Sequence, residues 1–179
     1  MGFSRDLAAF ADSAANAEGA RPLVLYTAQT ASGTSVDFPN IPSWVKRITV
    51  MLNNVSTTGT SAFLVQLGDS GGVEITGYTG VAIRSGGTGN VYTTSAAGFP
   101  LADVVVAASN FQSLATLALV DASTNTWVIS GTTSYAVANT LSSFSGGKSL
   151  SATLDRVRIT TINGTDTFDA GTINIMVEG

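Results

Sequence analysis

The sequence predicts a mainly β fold: an antiparallel β-sandwich of jelly-roll type preceded by one short N-terminal α-helix. Three observations predict it. Past Pro22 the chain breaks into short apolar-alternating runs separated by Gly, Ser, Thr, Asn or Pro, which is how strands and their turns read. No stretch alternates strand with helix in the βαβ manner that would signal a parallel sheet. Helical periodicity is confined to the first twenty residues. The chain of 179 residues suits one principal domain that buries roughly 70% of its unfolded surface, so residues 1–20 are expected to form a helical anchor and residues 21–179 the β-sandwich.

The helix is expected over Ser4 to Glu18. This segment is rich in Ala and free of β-branched residues, with Ser4 as N-cap, Asp6 in the first turn and Gly19 just past the end, the usual start and stop chemistry of a helix. Phe3, Leu7, Phe10, Ala14 and Ala17 recur at spacings of four, three, four and three, the a/d seam of a coiled coil. About two heptads of seam are marginal in isolation, so the helix needs a partner. Its own β domain, copies of itself, or another protein are the candidates.

Strands are expected at Leu23 to Thr30, Ser35 to Phe38, Val45 to Val55, Ala62 to Leu67, Val73 to Tyr78, Leu114 to Val120, Thr126 to Thr133, Leu154 to Ile162 and Thr172 to Glu178. In the third run Ile48, Val50 and Leu52 share a face opposite Arg47, Thr49, Met51 and Asn53. The final run sets Ile173, Ile175 and Val177 against Thr172, Asn174 and Met176. A period of two with one apolar face marks a half-buried strand. Leu117 to Ile129 reads as a hairpin whose polar loop is Asp121 to Asn125, and the last two strands are expected to pair with each other through Asn163 to Gly171. The stretch from Arg84 to Gln112 allows a loop, a strand or a short helix.

Composition restricts the chemistry. The chain has no Cys and no His, which removes disulfides, thiolate metal sites and triads built on Cys or His. Only 11% of residues are charged, while 44% are hydrophobic, so the polar surface is supplied mainly by Ser, Thr, Asn and Gly. A net charge of −4 disfavours nucleic acid as a partner, since phosphate neutralisation draws on clustered Lys and Arg. No apolar run approaches the roughly 18 residues of a membrane span, and the Met1 end lacks a secretion signal, so synthesis in a cytoplasm without membrane insertion is expected.

The most distinctive stretch is Leu150 to Gly179, LSATLDRVRITTINGTDTFDAGTINIMVEG. It resembles the ends of tailed-bacteriophage tail and tail-fibre structural proteins, which finish in variations on TTxNGTDTFDAGxINIxxE. The resemblance is nearly continuous from Ser149 to Glu178, with weaker echoes at Ile41 to Val50, Val65 to Gly72 and Leu119 to Gly131. It implies a non-enzymatic virion protein, a tail fibre or fibre-like adaptor that is homotrimeric and displays its β domain to a host-surface glycan or protein; the seam residues Phe3, Leu7, Phe10 and Ala14 are then expected to join it to another virion protein or to its own copies. A capsid decoration or cement protein is the alternative, and a host-glycan depolymerase the third reading.

Candidate recognition residues lie in the polar loops. Tyr78, Asn90 and Tyr92 belong to Gly-, Ser- and Thr-rich stretches, where a flat ring flanked by hydroxyls and amides suits a sugar or a protein surface. Asp166 and Asp169 in NGTDTFD supply oxygens of the kind Ca²⁺ takes, but two side chains fall short of its usual six to eight ligands, and Asp also caps turns. The favoured expectation is a structural turn with Phe168 packed beneath it and no metal or cofactor. Hydrolysis would require a carboxylate pair, for which Asp69 with Glu74, or Asp103 in its apolar surroundings, are the candidates; no catalytic residue is assigned.

Overall fold

In a computed structural model, which describes residues 23–85, 90–103, 105–107, 109–135 and 140–179, the alternating runs fold as two antiparallel sheets packed on a common core. The expected N-terminal helix, with Phe3, Leu7, Phe10 and Ala14, lies outside the described residues.

The strands, in chain order, are β1 (Val24–Leu25), β2 (Gln29–Thr30), β3 (Val36–Phe38), β4 (Arg47–Thr57), β5 (Phe63–Asp69), β6 (Gly72–Val73) and β7 (Thr79–Ser85). They continue with β8 (Val91–Ser95), β9 (Phe99–Pro100), β10 (Phe111–Asp121), β11 (Thr126–Tyr135), β12 (Thr140–Ser149), β13 (Arg156–Thr161) and β14 (Phe168–Glu178). Nine strands form the larger sheet in the order β1-β14-β4-β10-β11-β12-β7-β8, with β2 also on β14. Five form the smaller one in the order β3-β13-β5-β6, with β9 on β5.

Register follows from the apolar alternation. Ile48 faces Leu117 on one side and Val177 on the other, and Val50 faces Ala115 and Ile175. All six are buried, so a slip of one residue would turn β4 inside out and put Arg47 and Asn53 into the core. From the smaller sheet Phe38, Phe63, Val65, Val157 and Ile159 point into the same interior. Phe63 joins the layers: its ring meets Phe111 of β10 edge-on at 5.1 Å and stacks on Phe168 of β14 at 5.9 Å.

The hairpin at Leu117 to Ile129 forms as expected, with Leu117 opposite Ile129 and Leu119 opposite Trp127. Two expectations need correction. The last two strands are not neighbours: β13 pairs with β3 and β5, and β14 with β4, β1 and β2. Both alternate because both face one core from opposite sides, and the Asn163 to Asp166 turn carries the chain across. The run Val73 to Tyr78 keeps only the two residues of β6 as strand. Gly77 takes a left-handed φ of +74°, and Tyr78 turns inward to give its hydroxyl to the β5 backbone. The open region from Arg84 to Gln112 contains β8, β9 and the start of β10.

β12 escaped sequence reading altogether, and its sequence, TLSSFSGGKS, explains why. Its inward positions are Ser142, Phe144, Gly146 and Lys148, a row with one large apolar member. Gly146 lies opposite Gly80 of β7, and their lack of side chains lets β9 sit close. A Cβ on Gly146 would fall 2.8 Å from the Phe99 ring, and one on Gly80 2.9 Å from Pro100.

Candidate functional site

The two tyrosines selected from sequence occupy opposite environments. Tyr78 is 4% exposed. Its hydroxyl accepts from the Leu67 N–H at 2.7 Å and is 3.1 Å from the Leu67 carbonyl and 3.0 Å from that of Glu74. Its ring meets Phe99 edge-on at 4.9 Å, and burial pushes its phenol above the ordinary range. A ring so enclosed offers no face to a ligand, so Tyr78 is a core residue. Tyr92, on β8, is 70% exposed, and Asn90 is exposed just before that strand. Of the proposed recognition residues, these two remain displayed at the rim of the larger sheet.

Beneath Tyr78 lies a polar network. The Lys148 ammonium pairs with Glu74 and sits 5.4 Å from the Tyr78 ring centre. Glu74 also accepts from the Ser151 N–H at 2.7 Å, while Asp69 accepts from the Ser151 hydroxyl at 2.6 Å and the Gly71 N–H at 2.7 Å. Asp69 and Glu74 therefore both meet the Lys148 to Ser151 segment, tying the 69–78 connection to the end of β12. The hydrogen bonds from Ser151 and Gly71 hold the Asp69 carboxyl below its usual value. At Glu74 burial acts upward, but the bonds from Lys148 and Ser151 outweigh it and leave the carboxyl low. Such groups are ionised at neutral pH, whereas a general acid requires a raised carboxyl.

Asp103 is likewise engaged. Arg84 Nε lies 2.9 Å from its carboxylate, whose side chain is 0% exposed against 30% for Arg84. The Ser142 hydroxyl donates to the other oxygen at 3.3 Å. Asp103 thus clamps the segment after β9 onto β7 and β12. Sequence reading missed Lys148, Ser151 and Arg84 as partners; the available signal was a cation at an inward position of each strand, in register with Phe144 for Lys148 and with Ala82 for Arg84.

The NGTDTFD segment is a tightly bonded turn. Asp166 accepts from Asn163 Nδ2 at 2.7 Å and from the Ser61 N–H at 2.9 Å, contacts that lower its carboxyl, Asn163 first. Asp169 takes the Ser56 hydroxyl instead. The two carboxylates serve different partners, and among the described residues no group of three or more His, Cys, Asp or Glu is placed to hold a metal ion. Phe168 packs below the turn against Phe63, as expected.

The most extensive feature is the outward face of the nine-stranded sheet. One row crosses it from Tyr92 through Ile83, Ser143, Thr132 and Leu114 to Met51. The next runs Thr94, Val81, Ser145, Ser130, Thr116, Thr49. A third ends in Arg47 and Glu178, which pair with each other at 2.9 Å. Leu114, in the middle, is 54% exposed. A shallow depression between Thr79, Val81, Thr94 and Ser145 opens on this face near Tyr92.

No protein family, curated protein or solved structure matches this chain. The outward face, with Tyr92 and Asn90 at its rim, combines neutral hydroxyls, scattered apolar side chains and one exposed ring, a chemistry suited to binding by contact area and hydrogen bonds.

The titrating groups predict a stability plateau. Asp69, Glu74, Asp121 and Asp166 are all lowered in the fold. On acidification the unfolded chain takes up their protons first, so their stabilisation is complete above about pH 5 and is lost as pH falls through the folded values. Tyr26 and Tyr78 are raised by burial, so their contribution is complete below about pH 10 and is lost as pH rises further. With no His, urea midpoints are expected to be flat between about pH 5 and 9 and to fall on both sides. A marked step near pH 6.5 would contradict this.

Proposed function

We propose that this protein is a non-enzymatic bacteriophage virion protein, a tail fibre or fibre-like adaptor that forms a homotrimer. Its N-terminal segment attaches to another virion protein through Phe3, Leu7, Phe10 and Ala14, and its β domain, of jelly-roll type, is displayed toward a host-surface glycan or protein. The observation that carries the reading is the exposure of Tyr92 and Asn90 at the rim of the nine-stranded sheet's broad outward face, whose three rows carry charge only in the Arg47–Glu178 pair. It accompanies a C-terminal stretch that resembles phage tail proteins. Passage of the chain back and forth between the sheets, as from β3 to β4 to β5 and from β12 to β13 to β14, supports a jelly-roll type of connectivity. The absence of chemistry in this proposal is supported by the engagement of Asp69, Glu74 and Asp103 in structural contacts.

Attachment would bury an apolar stripe, each fully buried large side chain contributing on the order of 1.5–3 kcal/mol. Assembly would multiply weak receptor contacts into avidity. The test is antibody labelling of intact particles, made with the native chain and with Leu7→Ser/Phe10→Ser. Label on the tail that disappears with the double variant is the expected result. Label over the whole capsid would indicate a decoration protein and overturn the tail reading, and undiminished label on variant particles would overturn the anchor.

A further inference from the structure

We infer that a recess between the chain entering β4, the β10–β11 hairpin and the chain entering β13 binds a small carboxylate with a compact apolar body. It lies apart from the outward face and from Tyr92, so it is a second site, independent of the phage reading.

Alternation places the walls. Lys46 has the inward parity of Ile48 and Val50, Leu119 that of Leu117, and Trp127 that of Ile129, all three toward one end of the larger sheet. With Val45, Asn125 and Thr153 they line a space of about 120 Å³, room for about four waters at roughly 30 Å³ each. Drug-sized sites begin at roughly 300 Å³, so the recess takes a small molecule or one group of a larger one. Main-chain bonds brace the walls. The Val45 N–H donates to the Pro42 carbonyl at 3.1 Å and the Lys46 N–H to that of Glu178 at 2.8 Å. The Leu119 N–H donates to the Lys46 carbonyl at 2.9 Å, and the Leu150 N–H to that of Asn125 at 3.1 Å. A space held in this way is preformed for an occupant.

Charge decides the occupant. Among the described residues every other lysine and arginine belongs to an ion pair, whereas Lys46 does not. The hairpin's own carboxylate, Asp121, is taken by the Ser123 N–H at 2.8 Å and hydroxyl at 2.7 Å. One ammonium beside the neutral Asn125 and Thr153 matches a single negative charge. Phosphate draws on guanidinium forks or several free N–H groups, and the N–H groups of Val45, Lys46 and Leu119 are already bonded. Val45, Leu119 and Trp127 supply the wall for an apolar body.

The test is titration of the full chain with isobutyrate and with its neutral isostere isobutyramide at constant ionic strength, followed by the indole N–H signals in proton–nitrogen correlation spectra. The chain has two tryptophans, and Trp44→Phe assigns the signal of Trp127. Isobutyrate is expected to shift that signal saturably at about 1–10 mM, as suits so few contacting atoms. Isobutyramide should bind about two- to fivefold more weakly, the range of a solvent-exposed ion pair. Lys46→Gln should bring the two ligands level, and Thr153→Phe, at an exposed wall position, should abolish both. If Lys46→Gln loses the native β circular-dichroism spectrum, Lys46→Met is read in its place. Saturable binding of glucuronate but not glucose assigns the carboxylate to an acidic sugar; isobutyrate binding without it assigns a free small acid. An absence of saturation by about 100 mM, equal affinity for acid and amide in the native chain, an acid preference that survives Lys46→Gln, or binding that survives Thr153→Phe overturns the inference.

Discussion

Replacing Phe63 by Ala is expected to lower stability by about 3–5 kcal/mol, the range for truncating a buried aromatic. Phe63 is fully buried and belongs to the smaller sheet, but its ring contacts are with Phe111 and Phe168 of the larger one. The cavity would open between the layers, where neither sheet can collapse without moving the other. A chain of this size has about 5–15 kcal/mol in total, so one substitution removes a large fraction of it. Urea unfolding should show a lower midpoint with an unchanged slope. Phe63→Leu should lose much less, because it leaves a smaller void. Equal losses for the two variants would contradict a role for ring packing across the layers.

Arg84→Met should cost about 3 kcal/mol, because it removes the cation from a carboxylate that is itself wholly inaccessible. The Asp103 carboxylate would keep the Ser142 hydroxyl, which does not neutralise it. The double variant Arg84→Met/Asp103→Asn should recover part of that loss, since a neutral amide has no charge to leave buried. Summed single losses would then exceed the double by about 1–3 kcal/mol, as for directly coupled residues. A single loss below about 1 kcal/mol would place the pair among solvated surface bridges and remove the clamp assigned to the segment after β9.

What could be read from sequence follows from which residues carry a period of two. β4, β14 and the β10–β11 hairpin were legible because Ile48, Val50, Leu117, Ile129, Ile173 and Ile175 occupy every second position on the inward side. β12 was not, because Ser142, Gly146 and Lys148 face inward for reasons that reside elsewhere in the chain: Thr133 opposite and Asp103, the Phe99 ring, and Glu74. Alternation also reports a face rather than a sheet, which is why β13 and β14 looked like partners. At the candidate site, Tyr92 and Tyr78 have similar neighbours in sequence. Only the three-dimensional position of the Leu67 backbone distinguishes the enclosed ring from the displayed one.

The placement of β14 also has a consequence for the order of events as the protein is made. β4 emerges early, yet it lies between β10 and β14, so the edge that pairs Ile48 with Val177 and Val50 with Ile175 has no partner until residues 168–178 have been synthesised. β1 and β2 also wait for that final strand. Topologies dominated by such distant pairings fold in milliseconds to seconds, and an unpaired apolar edge is exposed to aggregation meanwhile. The larger sheet is therefore expected to complete itself only once β14 has emerged from the ribosome, and yield should respond to chaperone supply more steeply than the stability of the finished fold would suggest.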